Sequence, residues 1–426
     1  MKISVIIPPW NYYKDPFKLH PVNELYLATC IDETLAYSTV DVLDSRKNGI
    51  VKEDSDVYIY WISRVSDFSD ILSIISTTKT KNNDSVHIVC GVYSNLFLDV
   101  AENIDSIIVG PPEDLVILAI EDLQKTGKIK PLYEGSWNKS DYKKYSFPKR
   151  HYLAEAKITN TKVFEKYGGV KGTSVMFSRG CPFNCYYCSY NIPNTLQRRS
   201  NAQIRDEISY LKENYNVAGI NLRDEMCIPS WAKDVYEYMS IFKDLDVIWR
   251  GQTRANLNKD ILKFAGDTGC VELSLGIESA CQNVLDIVNK KQDLENIKNV
   301  IAMSHDAGIK IKMCLILGLP GEPQNILDMT KNYIEEANPD YVNVSGFCPI
   351  PGSEIFKNYQ DYGIKYIDNN WKKHAHLMCR FDKEESFGLP FEYEEDNRWG
   401  KTFSRNEIEA NIVDLQEYLR NRKLVY

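Results

Sequence analysis

Residues 178–190 read SRGCPFNCYYCSY and place Cys181, Cys185 and Cys188 at the spacing C-x3-C-x2-C. The loop follows a predicted strand, and its short spacings let successive sulfurs surround one iron-sulfur cluster. Three thiolates leave one iron of a four-iron cluster without a protein ligand, and such a position can bind a substrate or cofactor. A zinc knuckle or a solvent-exposed thiol cluster is the alternative. Zinc usually takes a fourth Cys or His nearby, and the nearest downstream histidine is His305.

Predicted strands lie on both sides of this loop and alternate with helical patterns. The strands are predicted at 173–178, 219–222, 247–251, 271–275, 309–317 and 341–346. Helical patterns between them include 201–213, 259–267 and 325–337. The alternation indicates a parallel sheet with helices on its faces, and six strand–helix units form an incomplete barrel with an open side.

The chain before the barrel shows the same alternation. Its strands are predicted at 3–8, 40–44, 57–61, 87–91 and 106–109, and its helices at 23–34 and 68–76. Gly91 and Gly110 end two strands at the carboxyl edge, where doubly wound sheets hold ligands. No G-x-G-x-x-G follows a strand, so a dinucleotide site is not predicted. The expected fold is α/β, with an amino-terminal Rossmann-like parallel sheet, a partial (β/α)6 barrel and a carboxy-terminal extension.

Changes of composition divide the 426 residues into four predicted segments. They are a Rossmann-like domain at 1–135, a connecting segment at 136–172, the partial barrel at 173–358 and the extension at 359–426. The polar and aromatic text YEGSWNKSDYKKYSFPKR, residues 133–150, predicts that the connection lies over the surface. The extension is predicted to end in an amphipathic helix at 406–422.

Composition restricts the partners and the compartment of the chain. A formal net charge of −8 gives no general attraction for nucleic acid or an anionic membrane. No apolar run of about 18 residues and no signal-peptide cleavage site occur, so we expect a soluble, cytoplasmic protein. The odd count of 11 cysteines favours a reducing compartment. Six cysteines in or beside apolar runs are predicted to be buried small side chains: Cys30, Cys90, Cys227, Cys270, Cys281 and Cys314.

The cysteine loop and the motifs after it resemble the radical SAM superfamily, from about Ser174 to Lys357. The resemblance implies that the three cysteines hold a 4Fe-4S cluster and that S-adenosylmethionine (SAM) chelates the open iron. It also implies reductive cleavage of SAM to a 5'-deoxyadenosyl radical, with an electron from a flavodoxin or ferredoxin type of donor. Tyr187 could cover the cluster from water or could simply pack the loop.

Two later motifs extend the resemblance. VELSLGIESACQNVLDIVNK, residues 271–290, resembles the family's fourth-strand segment and implies that Glu278 and Ser279 hold ribose or methionine groups. A third stretch, IKIKMCLILGLPGEP, resembles the family's fifth-strand segment. This resemblance implies that three of its residues face adenine: Gly318, Leu319 and Pro320. Arg254 follows the third strand and is a candidate partner for the SAM carboxylate, since a guanidinium can form a bidentate pair of hydrogen bonds with a carboxylate. The alternative for Arg254 is a surface ion pair. The Gly-Gly-Glu that many members carry after the cluster loop is missing, and Ser200 is predicted to cap the next helix instead.

The amino-terminal sheet resembles the cobalamin-binding-like domain that precedes the barrel in one branch of this superfamily. The segments that carry the resemblance are HPVNELYLATCIDE at 20–33, VDVLDS at 40–45 and IDSIIVGPPEDLVILAIEDL at 104–123. No Asp-x-His-x-x-Gly motif supplies a lower cobalt ligand, although members can bind cobalamin without one. Two alternatives therefore stay open: the domain binds cobalamin as a further cofactor, or its sheet only supports the barrel.

Two carboxylates and two cysteines are candidates for handling the substrate. Asp224 and Glu225 follow the second barrel strand, where catalytic groups are usually found. These carboxylates could accept a proton, bind a hydroxyl or amine, or only cap the next helix. Glu225 is expected to face inward. A thiol at Cys348 or Cys379 could return a hydrogen atom to a substrate radical, and the alternative for each is an inert buried cysteine.

The two histidines near Cys379, His374 and His376, could act as bases but are predicted to lie at the surface.

Three functions remain open from the sequence. The first is a radical enzyme that abstracts hydrogen from a small or peptidyl substrate for dehydration, epimerisation or rearrangement without cobalamin. The second is a cobalamin-dependent radical SAM methyltransferase, and the third is a non-catalytic iron-sulfur protein. The expected partners are the small-molecule or peptide substrate and the electron donor, with no nucleic acid and no membrane.

Overall fold

Two six-stranded parallel sheets form the framework of the chain. The structure is a computed structural model, and it describes residues 1–11, 13, 15–46, 54–100, 103–189, 192–374 and 388–425. The α/β fold predicted from the sequence is confirmed, with helices packed on both sheets. No helix in these described ranges is long and apolar enough to cross a membrane.

The amino-terminal sheet has the strand order β2-β1-β3-β4-β5-β6, and all its pairings are parallel. Its strands are β1 (Lys2–Ile7), β2 (Thr39–Asp44), β3 (Val57–Trp61), β4 (Val86–Cys90), β5 (Ser106–Val109) and β6 (Leu132–Glu134). The helices that connect them are α1 (Val22–Thr34), α2 (Phe68–Lys81) and α3 (Pro112–Thr126). Strand β3 reads VYIYW and is buried at every position, as expected for a parallel sheet covered on both faces.

The order of this sheet creates a switch point between β1 and β3, because the chain moves to one side for β2 and to the other side for the later strands. Open α/β sheets bind ligands at such a point, beyond the carboxyl ends of the strands. Gly91 and Gly110 turn the chain at this edge with φ of 109° and 133°. A Cβ at Gly91 would lie 2.7 Å from the Ile62 carbonyl oxygen, so glycine keeps the edge compact.

The second sheet contains the six predicted barrel strands in the order β14-β13-β12-β11-β10-β7. The strands are β7 (Gly172–Val175), β10 (Gly219–Leu222), β11 (Ile248–Thr253), β12 (Cys270–Glu278), β13 (Lys310–Leu317) and β14 (Tyr341–Gly346). The helices around them are α4 (Asn201–Tyr215), α5 (Val235–Asp244), α6 (Lys259–Asp267), α7 (Gln282–Ile287), α8 (Leu294–Asp306) and α9 (Ile326–Ala337). Within the described residues β7 and β14 are edges that do not pair with each other, so the barrel is open as predicted.

The cysteine loop lies between β7 and α4 and begins and ends in a short antiparallel pair, β8 (Ser178–Arg179) and β9 (Gln197–Arg198). Ser200 then caps α4: its hydroxyl accepts from the Gln203 backbone N–H, and the Gln203 side chain accepts from the Ser200 backbone. This reciprocal cap confirms the role predicted for Ser200 and fixes where the loop re-enters a helix.

The prediction that the connecting segment lies over the surface is wrong for several of its residues. Arg150 is fully buried and donates to the Glu207 carboxylate of α4 at 3.0 Å, with both side chains 0% exposed. Phe147, Ile158 and Phe164 are buried as well. The polar sequence of this segment led to the surface prediction, but a charged residue can be buried when an opposite charge on another element faces it.

The carboxy-terminal extension packs against the open side of the barrel. The short helix α10 (Glu354–Lys357) precedes the extension. The elements of the extension are β15 (Ile364–Ile367), β16 (Phe391–Tyr393), β17 (Asp396–Asn397), β18 (Gly400–Lys401) and α11 (Arg405–Asn421). Helix α11 contacts β13 and β14 and buries Ile408, Ile412, Leu415 and Leu419. These four positions recur every three or four residues, so the predicted amphipathic helix is confirmed.

Candidate functional site

One cavity of about 430 Å³ joins the carboxyl edges of the two sheets. The cysteine loop forms part of its wall, and Trp10 and Trp61 line it on the side of the amino-terminal sheet. Two contacts hold the sheets together here: Tyr93 Oη lies 2.7 Å from Ser189 Oγ, and Arg179 forms an ion pair of 2.7 Å with Glu113. A ligand in this cavity therefore touches both halves of the molecule.

The three cysteines of the loop all line the cavity. Cys185 is buried, and Cys181 and Cys188 are half-buried. Burial raises the pKa of the Cys181 thiol. Among the described residues no three His, Cys, Asp or Glu side chains are close enough together to hold a single metal ion. Three thiolates are the donor set that an iron-sulfur cluster takes, so the loop fits the cluster expected from the sequence.

The histidine that lines the cavity, His20, does not complete a zinc site. Its Nδ1 accepts from the Ser174 backbone N–H at 2.8 Å, and its Nε2 lies 3.1 Å from Asn160 Nδ2. Burial lowers the pKa of His20 to about 3, so the ring is neutral at physiological pH. Both ring nitrogens are engaged in joining the sheets, and the zinc alternative gains no ligand.

Arg254 lies against the cysteine loop instead of forming a surface ion pair. Its residue is 6% exposed, and Nη1 donates to Cys185 Sγ at 3.2 Å. Nη2 donates to the Lys290 backbone carbonyl, and the guanidinium lies 4.0 Å from the centre of the Phe183 ring. Its Nε has no hydrogen-bond partner. The predicted role with the SAM carboxylate stays a prediction, and the contacts add a direct link to Cys185 of the cysteine loop.

Lys290, which sequence reasoning missed, connects the end of β12 with the cysteine loop. Its Nζ forms an ion pair of 2.7 Å with Glu278 and donates to Tyr187 Oη at 3.3 Å. Lys290, Glu278 and Tyr187 all line the cavity, and burial raises the pKa of Tyr187 well above its ordinary value. Lys290 ends the same sequence segment that carries Glu278, and this could have drawn attention to it. The two residues are 12 positions apart, so the sequence alone did not indicate that their side chains make contact.

The other residues implied to contact SAM do not line this cavity. Ser279 is buried, and its hydroxyl accepts from the Cys281 backbone N–H at 3.2 Å. The Gly318 and Leu319 amides donate to the Glu322 carboxylate at 2.9–3.2 Å. Gly318 and Leu319 line a separate, small pocket beside Tyr393, and Pro320 lines neither. Their roles toward SAM stay predictions.

The paired carboxylates separate into two roles. Asp224 is 2% exposed and accepts from the Phe177 backbone N–H at 3.2 Å and from the Ser178 hydroxyl at 2.5 Å. It therefore anchors the start of the cysteine loop. Glu225 lines the cavity as expected, and burial raises its pKa to about 7. A carboxyl group with that pKa can hold or release a proton near neutrality.

One candidate hydrogen donor, Cys348, does not line the cavity. Cys348 is 2% exposed, packs with the apolar residues between the sheets, and has its Sγ 3.9 Å from His374 Nδ1. His374 is also 2% exposed, so the surface position predicted for it is wrong; its Nε2 is held 2.7 Å from the Asp368 carbonyl oxygen. Cys379 and His376 lie outside the described residues.

The interior of the barrel is more polar than the sequence indicated. Ser274, Cys314, Asn343 and Ser345 line the inner end of the cavity from three neighbouring strands. Cys314 was predicted to be fully buried and is only half-buried, because alternate positions of β13 face the lumen. Hydroxyl, thiol and amide groups therefore surround whatever enters the barrel.

The wall formed by the amino-terminal sheet has polar atoms without partners. The indole N–H groups of Trp10 and Trp61 and the Oε1 atom of Glu24 are buried and make no hydrogen bond. All three residues line the cavity, and burial raises the pKa of Glu24 to about 7. Because an unsatisfied buried polar group costs about 1–3 kcal/mol, these atoms fit a ligand that offers both acceptors and donors.

A family comparison matches residues 175–334 to the radical SAM superfamily. The matched residues include the cysteine loop, Arg254 and Glu278. The cofactors of a radical SAM domain are SAM and a 4Fe-4S cluster.

Two curated relatives differ in how much of the chain they match. The anaerobic magnesium-protoporphyrin IX monomethyl ester cyclase of Rubrivivax gelatinosus is 32% identical over 190 residues, which is 43% of this chain and 34% of the cyclase. The bacteriochlorophyllide d C-12(1)-methyltransferase of Chlorobaculum tepidum is 22% identical over 390 residues, which is 86% of this chain and 79% of that enzyme. The chain thus spans only about a third of the length of the more identical relative.

Among solved structures, the radical S-adenosylmethionine methyltransferase TsrM from Kitasatospora setae has the same overall fold. Its complex with tryptophan and a SAM analogue has a TM-score of 0.68 at 14% identity and covers 97% of this chain and 88% of TsrM. At this identity the likeness shows the fold, including the amino-terminal sheet before the barrel. The family match itself covers residues 175–334, so it identifies a radical SAM domain in that part of the chain, which includes the cysteine loop.

Proposed function

We propose that this protein is a cobalamin-dependent radical SAM methyltransferase. The observation that carries the proposal is the single cavity that runs from the three cysteines to the switch point of the amino-terminal sheet. A radical enzyme without cobalamin needs no ligand space at that sheet. The proposal therefore takes the second of the functions left open by the sequence in preference to the first.

The unpartnered atoms of the sheet support a corrinoid ligand. Cobalamin carries primary carboxamides around its ring, and each carboxamide offers a carbonyl acceptor and N–H donors. The indole N–H groups of Trp10 and Trp61 would meet carbonyls, and Glu24 Oε1 would accept from an amide N–H. A sheet that only supported the barrel would leave these three groups buried without compensation.

The comparisons support the same function. TsrM is a methyltransferase whose structure with cobalamin and a 4Fe-4S cluster aligns with this chain at a TM-score of 0.63, and the Chlorobaculum relative that spans most of the chain is named a methyltransferase. Those ligands and activities belong to the relatives. For this chain they guide the choice of assay.

In this function the residues of the cavity have distinct tasks. Cys181, Cys185 and Cys188 would hold the cluster, at which bound SAM is cleaved, while cobalamin would carry the methyl group. Glu225 can take or deliver a proton at the substrate, because its pKa of about 7 lets both forms exist near neutrality. The aromatic side chains of Trp10, Trp61 and Tyr187 give the cavity an apolar part beside these polar groups. The substrate is a small molecule or peptide, and a one-electron donor of the flavodoxin or ferredoxin type supplies the reductant.

Cobalamin binding and product analysis test the proposal. Anaerobically reconstituted protein should bind hydroxocobalamin, and binding should weaken several-fold in Trp61→Phe, which removes the N–H and keeps the ring. Trp231→Phe is a matched control, because Trp231 is 47% exposed and does not line the cavity. With SAM and reductant, S-adenosylhomocysteine should accumulate together with methylated product. Protein that makes 5'-deoxyadenosine but neither binds cobalamin nor forms S-adenosylhomocysteine would be a cobalamin-independent radical enzyme.

The cluster assignment has its own test. Changing the three loop cysteines to alanine should remove the iron and the absorbance near 400 nm, roughly the region of thiolate-ligated iron-sulfur clusters. Cys227→Ala is the control, since Cys227 is buried and does not line the cavity. A triple variant that keeps a full cluster would contradict the assignment.

A further inference from the structure

The guanidinium of Arg254 is fixed beside one cluster cysteine by contacts on several sides. Nη1 donates to Cys185 Sγ at 3.2 Å, Nη2 donates to the Lys290 carbonyl, and the Phe183 ring packs on its plane at 4.0 Å. The residue is only 6% exposed. A charge held in this way is screened little by water or salt, so it acts strongly on its neighbour.

Reduction of a 4Fe-4S cluster adds one electron and makes the site one unit more negative. A fixed positive charge and a hydrogen bond to a ligand sulfur both stabilise the reduced form more than the oxidised form. Net charge, hydrogen bonds to the sulfurs and solvent exposure are the means by which proteins set cluster potentials. The charge and the hydrogen bond of Arg254 both act on Cys185 and favour reduction. Cys185 is buried, and burial acts in the opposite direction because it disfavours the more negative reduced form, so the arginine offsets that effect.

We propose that Arg254 is a positioning residue that raises the reduction potential of the cluster through Cys185 and so makes the cluster reducible by a physiological one-electron donor. The inference rests on the proposed cluster site. It gives Arg254 a role that precedes SAM binding, whereas the sequence predicted a contact with the SAM carboxylate. Its Nε remains without a partner, so the experiment must separate the two roles.

The test is a redox titration of the SAM-free cluster, followed by electron paramagnetic resonance of the reduced form. Iron content is measured first in every variant. In Arg254→Met the reduced-to-oxidised ratio at a fixed potential should fall about tenfold, which is 59 mV for a one-electron couple. Arg254→Lys should fall less, because an ammonium keeps the charge and loses the fork geometry. Arg205→Met is the control, since Arg205 is exposed and pairs with Asp244 on the surface.

Each outcome decides between stated alternatives. An unchanged potential in Arg254→Met that carries a full cluster overturns the inference, and weaker SAM binding in that variant would then assign Arg254 to the SAM carboxylate. If the methionine variant loses iron, Arg254→Gln decides in the same way, because glutamine removes the charge and stays polar: a lowered potential supports the inference, and a wild-type potential overturns it. Wild-type protein that takes up no 4Fe-4S cluster would instead refute the proposed function itself.

Discussion

Breaking the ion pair between Lys290 and Glu278 should destabilise the protein by about 3 kcal/mol. The two charges lie 2.7 Å apart, and their side chains are 4% and 12% exposed. Removing one partner of a buried pair leaves the other charge uncompensated, which costs about 3–5 kcal/mol, and the exposure of Glu278 places this pair at the lower end. Glu278 also adopts a φ of 73°, a conformation that a non-glycine residue holds only where its surroundings enforce it.

Urea unfolding of Lys290→Met measures this loss. The free energy is taken from the transition in which circular dichroism and tryptophan fluorescence change together, since a two-state treatment requires coincident probes. Adding Glu278→Gln removes the orphaned charge and should restore about 2 kcal/mol, so the two changes should be non-additive. The control is Lys263→Met, whose pair with Asp267 is exposed, so this change should alter the free energy of unfolding much less than Lys290→Met does. A loss below about 1 kcal/mol in Lys290→Met, or strict additivity in the double variant, would refute the reasoning.

Three further changes test other parts of the structure. Burial raises the pKa of Glu225 to about 7, so its carboxyl group is neutral at lower pH and ionised at higher pH. The pH profile of turnover should therefore change between about pH 6 and 8, and this change should be lost in Glu225→Gln. Arg150→Met leaves Glu207 buried and unpaired and should cost about 3–5 kcal/mol in urea unfolding at neutral pH. Because loss of the arginine raises the folded-state pKa of Glu207 further above its unfolded value, that cost should shrink as the pH falls and the carboxyl group gains a proton. Gly251→Ala places a Cβ 2.6 Å from Cys227 Cβ, which should lower the free energy of unfolding by about 1–3 kcal/mol and so lower the thermal midpoint. An unchanged midpoint would show that the strand can shift to make room.

The strands could be predicted closely because parallel strands buried on both faces read as continuous apolar runs. The segments 57–61 and 219–222 were predicted with the bounds of β3 and β10. Strand β6, at Leu132–Glu134, was missed because it has only three residues and a single buried position. The burial of Arg150 was missed for a different reason: its partner Glu207 lies 57 residues later in the chain.

The candidate site divides in the same way. The cysteine spacing is local, so it could be recognised from the sequence, and the inward position of Glu225 followed from its place after a strand. The contacts of Lys290 with Glu278 and of Arg254 with Cys185 join residues from different strand–helix units. No periodicity within one segment records such a contact.

The sequence by itself determined the order of strands and helices, the cysteine spacing and the resemblance to the radical SAM superfamily, because apolar periodicity and short spacings are properties of neighbouring residues. Only the tertiary structure decided that the two sheets share one cavity and that Trp10, Glu24 and Trp61 present unpartnered polar atoms to it. The physical reason is that hydrogen-bond satisfaction and burial depend on what the rest of the chain brings to each atom, and these neighbours come from distant segments.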